Sequence, residues 1–113
     1  MTDGLKDRHR DAIIAAIAAN DRVERAVLFG SRATGTYTVS SDVDIALFGD
    51  QLTLTDQARL AAALDEILMA QAVDLVLYAS IANPTMQRHI RDHGIELYRQ
   101  NTARPSLIEP LPP

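Results

Sequence analysis

The sequence predicts an α+β fold in which a small mixed sheet of about four strands is flanked by helices. Three observations lead to this prediction. Segments of helical and strand periodicity follow one another in the order helix, strand, strand, helix, strand, helix, strand. The connection between the first two strands is too short for a crossover helix, which makes these strands antiparallel neighbours. The first loop also lacks the three-glycine spacing of doubly wound dinucleotide-binding folds, and that class is therefore excluded.

One helix and two strands are predicted in the first half of the chain. Residues 5–19 form an amphipathic helix because leucine and isoleucines recur at helical spacing among alanines and polar residues. Residues 25–29 (RAVLF) and 43–48 (VDIALF) are short apolar runs typical of buried strands. Residues 30–41 between them are rich in glycine, serine and threonine, and they predict a loop whose first turn is briefly helical.

The next helix and strand continue the alternation. A helix is predicted over 56–70, with Thr53 or Thr55 as its N-cap. Residues 73–78 (VDLVLY) follow as the third strand. If the helix is a right-handed crossover, the third strand lies parallel to the second.

The last helix and strand have the clearest boundary signals. Asn83 is predicted as an N-cap, because Pro84 follows at the first helical position. This helix runs to about His93, and Gly94 stands in the place of a C-terminal cap. Residues 95–98 (IELY) are a weaker fourth strand.

Size and composition limit the protein class. A chain of 113 residues predicts one domain, over 1–98, followed by a proline-rich tail over 99–113 that is extended or disordered. A net charge of −4 with scattered basic residues argues against strong direct binding to nucleic acid. No apolar run approaches the ~20 residues that span a bilayer. The absence of cysteine fits a cytoplasmic protein.

A Gly-Ser turn and two carboxylates point to chemistry. In VLFGSRATGTYTVSSDVDIALF, Gly30 and Ser31 end the first strand, and Asp42 and Asp44 open the second. Residues two apart on a strand point to the same side, so the two charges lie together at a cost unless a cation lies between them. Backbone N–H groups of a Gly-Ser turn can hold an anion. The combination indicates metal-assisted phosphoryl chemistry on a nucleotide.

A third acid strengthens this interpretation. Asp74 lies early in the third strand, where an unpaired charge among apolar residues is unfavourable. In a parallel arrangement it approaches Asp42 and Asp44, and three carboxylates suit Mg²⁺. The alternatives are a solvated turn for the Asp-x-Asp pair and an edge-exposed acid for Asp74.

These residues resemble the nucleotidyltransferase signature of the DNA polymerase β superfamily, in which Gly-Ser and a spacer precede Asp-x-Asp. The ten-residue spacer and the small size are most similar to the minimal nucleotidyltransferase (MNT) antitoxins of HEPN–MNT toxin–antitoxin pairs. The likeness covers roughly 25–98 and includes the ending HIRDHGIELY. The resemblance implies the nucleotidyltransferase fold and transfer of AMP from ATP to a tyrosine hydroxyl of a partner HEPN ribonuclease toxin, with which the chain could form an oligomer.

The resemblance also implies roles for particular residues. Asp74 would be the base that takes the proton of the acceptor. The residues implied to bind the triphosphate are Gly30, Ser31 and Arg32. The residues implied to bind Mg²⁺, as two ions, are Asp42, Asp44 and Asp74.

The sequence departs from the family pattern in the loop. Thr34 stands where related sequences often carry a basic residue, and 36–40 (TYTVS) lacks their charged and proline residues. Larger members carry a second domain that recognises the acceptor, so we expect a chain of this size to receive its acceptor from a partner protein. Two other functions stay open, namely an antitoxin that only sequesters its toxin and a transferase acting on a small molecule.

A pair of histidines in the last helix has a simpler explanation than a metal site. His89 and His93 are four residues apart, as metal ligands can be. We expect them instead to stand in the last turns of the helix, where a cation favours the negative end of the helix dipole.

Overall fold

The computed structural model describes residues 4–38, 40–67 and 71–100, and in these it confirms the predicted α+β fold with a four-stranded mixed sheet. Residues 101–113, most of the predicted tail, lie outside the described residues. In chain order the elements are α1 (Asp7–Ala18), β1 (Arg25–Phe29), α2 (Ser31–Thr34), β2 (Val43–Phe48), α3 (Leu54–Asp65), β3 (Val73–Leu77), a 3-10 turn (Tyr78–Ser80), α4 (Pro84–His93) and β4 (Ile95–Arg99).

The sheet has the strand order β3-β2-β1-β4. β1 is antiparallel to both of its neighbours, β2 and β4, as the short first connection predicts for β2. β3 is parallel to β2, so the crossover through α3 has the predicted consequence. Because β2 and β3 are parallel and in register, residues at the start of β2 lie beside residues at the start of β3.

The two faces of the sheet are covered differently. On the face covered by α1 and α3, Ile17 and Leu64 belong to the main core with Ile45. On the opposite face, which we call the α4 face, Ile90 packs with Val27 and other apolar residues of a smaller cluster. β1 and β2 are buried on both sides, and the sequences of such strands are nearly continuous apolar runs.

The cap of α3 follows the prediction, but its end does not. Thr53 and Asp56 form a reciprocal capping box, in which the Asp56 N–H donates to Thr53 Oγ1 and the Asp56 carboxylate accepts from the Thr53 N–H. The helix predicted over 56–70 ends at Asp65. The N–H groups of Glu66 and Ile67 donate to carbonyls three residues back, which tightens the last turn and stops the α-helix. Residues 68–70 lie outside the described part.

The last helix begins as predicted and ends differently. Asn83 caps α4 by accepting hydrogen bonds from the N–H groups of Thr85 and Met86. Gly94 occupies the C-cap position, yet its backbone is extended (φ −65°, ψ 147°) rather than left-handed. A Cβ there would clash with the Ile90 carbonyl oxygen and with Val27 Cγ1. Gly94 is therefore needed for the close approach of α4 to β1.

The other boundaries shift by one or two residues. α1 begins at Asp7 and ends at Ala18, inside the predicted range 5–19. β3 ends at Leu77 because a 3-10 turn begins at the next residue, and β4 extends to Arg99. Among the described residues, no helix is long and apolar enough to cross a membrane.

Candidate functional site

Three acids lie together at one end of the α4 face. Asp44 of β2 stands opposite Asp74 of the parallel strand β3 and opposite Phe29 of the antiparallel strand β1. Its chain neighbours Val43 and Ile45 belong to the core on the other face, so the alternation of a strand turns Asp44 toward the α4 face. Asp42 comes two residues earlier, just before β2 begins. The structure thus places Asp74 beside Asp44, and Asp42 is near enough for its charge to act on Asp44, whereas their predicted role as three metal ligands stays a prediction.

The electrostatics of Asp44 are those of an acid among acids. Asp44 is half-buried, whereas Asp42 and Asp74 are exposed. Burial, followed by the charges of Asp74 and Asp42, raises the pKa of the Asp44 carboxyl above its usual range. The ionised form of this cluster is therefore unfavourable by itself and would be stabilised by a bound cation.

Gly30 places a backbone turn directly against this carboxylate. The residue follows the last residue of β1 and has φ +77°, a left-handed value that side-chain-bearing residues seldom adopt. A Cβ on Gly30 would lie 2.5 Å from Asp44 Oδ2. Both the conformation and the space require glycine, and they bring the turn and the acids into one site.

The turn continues into a single helical turn, as predicted. The Gly30 carbonyl oxygen accepts hydrogen bonds from the N–H groups of Ala33 (3.1 Å) and Thr34 (3.2 Å), which starts α2 at Ser31. Gly35 ends α2 with φ +85°. The Gly30–Ser31 turn therefore lies beside the acids, where a phosphate could reach the Ser31 N–H, and the predicted binding of a triphosphate by Gly30 and Ser31 stays a prediction.

Arg32 has a different position from the one that a phosphate ligand suggests. Its side chain is buried, with 1% exposed. The guanidinium donates to the carbonyl oxygens of Ser41 (3.1 and 3.2 Å) and Thr38 (3.3 Å) and lies over the Tyr37 ring at 4.9 Å. Arg32 thereby holds the loop that leads into Asp42. Its predicted contact with a phosphate stays a prediction.

His89 is a site neighbour that the sequence analysis missed. Its Nε2 accepts a hydrogen bond of 3.0 Å from the Gly30 N–H, and its ring lies edge-on to Phe29 with centroids 6.4 Å apart. We expected His89 to act only as a cation near the end of a helix. The bond joins residues 59 positions apart, and local spacing carries no signal of such a contact.

The chemistry of the three acids suits a hard divalent cation whose other ligands come from the nucleotide substrate. Asp42, Asp44 and Asp74 offer carboxylate oxygens, which Mg²⁺ prefers. Among the described residues, no three histidine or acidic side chains are grouped so that they could hold a metal ion by themselves. Binding of Mg²⁺ at these acids would therefore need further oxygen ligands from substrate phosphates and water, and it stays a prediction.

Comparison with known proteins identifies the family. Residues 11–103 match the family described as "Polymerase beta, Nucleotidyltransferase". The chain belongs to this nucleotidyltransferase family. The nucleotidyltransferase is also 34% identical over 85 residues to a protein of Methanocaldococcus jannaschii named "Putative protein adenylyltransferase", and the match covers 74% of this chain and 89% of that protein.

Solved structures confirm the resemblance to MNT antitoxins. A crystal structure of a toxin–antitoxin with AMP-PNP contains a chain with 29% identity and a TM-score of 0.67, and the match covers 81% of this nucleotidyltransferase and 74% of that chain. The MntA–HepT toxin–antitoxin structure has a chain with 25% identity and a TM-score of 0.62, covering 84% and 74%. A complex of a tri-AMPylated HEPN toxin of Shewanella oneidensis with its MNT antitoxin, at 23% identity, TM-score 0.64 and coverage of 85% and 74%, supports the fold alone.

Proposed function

We propose that this nucleotidyltransferase is a Mg²⁺-dependent antitoxin that transfers AMP from ATP to a tyrosine hydroxyl of a partner HEPN ribonuclease. The observation that carries the proposal is the Asp44 carboxylate, which lies beside Asp74 and against the Gly30 turn, with a raised pKa. An acid cluster of this kind is unfavourable without a cation, and its place beside an anion-binding turn suits a metal-bound triphosphate.

The reaction assigns a task to each part of the site. Asp42, Asp44 and Asp74 would hold Mg²⁺, which when bound polarises the phosphate and stabilises charge on the entering and leaving oxygens. Ser31 would hold the triphosphate through its N–H group, on the turn that Gly30 forms, because the Gly30 N–H already donates to His89. The tyrosine oxygen forms a bond to the α-phosphorus of ATP, the bond to pyrophosphate breaks, and Asp74 accepts the hydroxyl proton.

The position of Asp74 supports an acceptor that comes from another protein. β3 is an edge strand of the sheet, and Asp74 near its start is exposed. A hydroxyl group on a partner surface can therefore approach this carboxylate without displacing any part of the described chain. Positioning of the acceptor by the partner would supply the orientation that a second domain supplies in larger members.

A labelling experiment tests the proposal. The chain is incubated with α-labelled ATP, Mg²⁺ and a purified HEPN partner, and the partner is examined for label and for the mass of an added AMP. We expect label on a partner tyrosine, loss of label when Mg²⁺ is chelated, and loss of label with Asp44→Asn. Asp11→Asn is the matched control, because Asp11 is an exposed acid of α1 on the other face.

Three outcomes contradict the proposal. Absence of label on the partner, together with neutralisation of the toxin, would favour an antitoxin that acts by binding alone. Undiminished label with Asp44→Asn would show that the acid cluster is not the site of transfer. Label on another residue type would reject tyrosine as the acceptor. Substitution of the labelled residue in the partner checks the assignment.

A further inference from the structure

The hydrogen bond between His89 and Gly30 joins α4 to the nucleotide turn. Its donor is the Gly30 N–H and its acceptor is His89 Nε2, at 3.0 Å. A backbone N–H can only donate, so Nε2 must carry a lone pair and Nδ1 must carry the ring proton. His89 is therefore neutral while this bond exists, and it takes one specific tautomer.

The ring of His89 is held in place by its surroundings. Phe29 lies edge-on to it, with centroids 6.4 Å apart, and the His93 ring lies at 5.5 Å on the same helix. α4 itself is anchored by buried Ile90 and by the close approach of Gly94 to β1. The acceptor is thus presented to Gly30 from a helix whose own position is fixed by packing.

The contact matters because glycine is the most easily rotated residue of the turn. Gly30 needs φ +77° to start α2 and to make room for the Asp44 carboxylate. A glycine can leave that conformation at little cost. The bond to His89 fixes the peptide plane before Gly30, and rotation about φ of Gly30 would then move Ser31 and the start of α2. The Asp44 carboxylate, which lies against Gly30, and the hydrogen bond to His89 together fix the orientation of the turn.

We propose that His89 is a positioning residue of the nucleotidyltransferase, which presets the Gly30–Ser31 turn to receive the triphosphate. The proposal rests on the proposed function, because it assumes that this turn binds ATP. A preset turn contributes to binding of the ground state and of the transition state alike, so its loss should raise KM for ATP and leave kcat nearly unchanged.

Three substitutions at one position separate the hydrogen bond from general packing. Gln Oε1 is four bonds from Cα, as His Nε2 is, whereas Asn Oδ1 is only three bonds away. We expect His89→Gln to keep KM for ATP within about twofold, and His89→Asn and His89→Leu to raise it about tenfold, the scale of one lost hydrogen bond. Asp92→Asn, which alters an exposed residue of the same helix, is the matched control and should leave KM unchanged.

Nuclear magnetic resonance of the nucleotide-free chain provides a test that does not depend on catalysis. The long-range ¹⁵N spectrum should show His89 protonated on Nδ1 and unprotonated on Nε2. The Gly30 amide resonance should move in His89→Asn and His89→Leu and stay near its original position in His89→Gln. Thermal unfolding of each variant shows whether it is folded. If His89→Asn does not fold, His89→Gln is compared with His89→Leu, and if His89→Leu does not fold, His89→Gln is compared with His89→Asn.

The outcomes distinguish this proposal from the proposed function. A ring protonated on Nε2, or a Gly30 amide indifferent to His89→Asn, would overturn the contact itself. An altered Gly30 amide with an unchanged KM, or a fall in kcat with no change in KM, would overturn the positioning role. If the unaltered chain transfers no AMP, the proposed function fails, and calorimetric binding of ATP with Mg²⁺ then decides. Weaker binding by His89→Asn than by His89→Gln supports positioning, and equal binding rejects it.

Discussion

Asp56 and Asp44 are two shielded carboxylates on opposite sides of the sheet, and their surroundings shift their pKa values in opposite directions. Asp56, with 3% exposed, accepts hydrogen bonds from Thr53, from the Asn20 amide and from the Arg22 guanidinium at 2.9 Å. These donors, the Thr53 backbone N–H above all, lower the pKa of the Asp56 carboxyl. The chain supplies every partner that this acid needs to cap α3 and to tie it to α1.

Asp44 is placed among groups that oppose its charge. Burial and the neighbouring acids Asp74 and Asp42 raise its pKa. Fold stability alone would not select such a cluster, because each of these acids makes ionisation of the others less favourable. The acid that the fold uses thus has its donors within the chain, whereas we propose that Asp44 has its partner in a ligand.

Removal of the Asp44 charge should produce the largest effect on activity. We expect Asp44→Asn to lower AMP transfer to the partner by about 10²-fold or more, because a metal ion contributes several kcal/mol of transition-state stabilisation. Initial rates with labelled ATP and Mg²⁺ measure the effect. Asp56→Asn, assayed at a temperature where it is folded, should transfer AMP at close to the original rate. Equal losses in both variants would abolish the distinction between the two acids.

Closing the space beside Asp44 should have the next largest effect. A Cβ in Gly30→Ala would lie 2.5 Å from Asp44 Oδ2 and would stand on a residue with φ +77°. We expect a loss of transfer of roughly 10-fold to 100-fold, since the turn and the carboxylate must both shift from the productive geometry. Gly35→Ala is the control, because Gly35 also has a positive φ (+85°) but a Cβ on it would meet nothing within 4 Å. A similar loss in both variants would mean that backbone strain alone is responsible.

The arrangement of the acids was predictable because it depends on short-range pattern. The apolar runs on either side of the loop set the bounds of β1 and β2, and both strands are found where the sequence predicts them. Alternation along β2 turns Asp44 toward the α4 face, two residues after Asp42, and the crossover through α3 brings Asp74 beside Asp44. The roles of these residues in metal binding and transfer stay proposals.

The remaining features of the site depend on contacts between distant segments. Arg32 follows the Gly-Ser pair in sequence, yet its guanidinium turns into the protein and binds carbonyl oxygens of the loop. His89 of α4 contacts Gly30 although the two residues are 59 positions apart in the chain, and Gly94 is required by packing against Val27. The end of α3 depends on whether the N–H groups after it donate to carbonyls three residues back rather than four. Periodicity and capping signals describe neighbours along the chain and carry no information on such contacts.

Loss of the Asp56 charge should lower stability and leave the chemistry intact. An amide at this position would place an NH₂ group against donors from Thr53, Asn20 or Arg22, so we expect Asp56→Asn to lower the Tm by several degrees at neutral pH. Because the folded-state pKa is lowered, the contribution of Asp56 is full above the unfolded value of about 3.9 and is lost as the pH falls through the folded value. The Tm difference should therefore shrink in acid. Asp11→Asn serves as control, and a constant difference at all pH values would exclude the charge as the cause.

The smallest predicted effect has the opposite sign. Without nucleotide or metal, Asp44→Asn should raise the Tm at neutral pH by roughly a few degrees, since it removes a charge that the folded state disfavours. For a carboxyl with a raised folded-state pKa, the penalty is full above that value and absent below the unfolded value of about 3.9, where both states are protonated. The stability gain should therefore vanish as the pH falls toward about 3. Addition of Mg²⁺ and ATP should raise the Tm of the unaltered chain more than that of Asp44→Asn, because only the former keeps the complete acid cluster. A loss of stability of Asp44→Asn at neutral pH, such as we expect for Asp56→Asn, would place Asp44 among the acids that the fold uses.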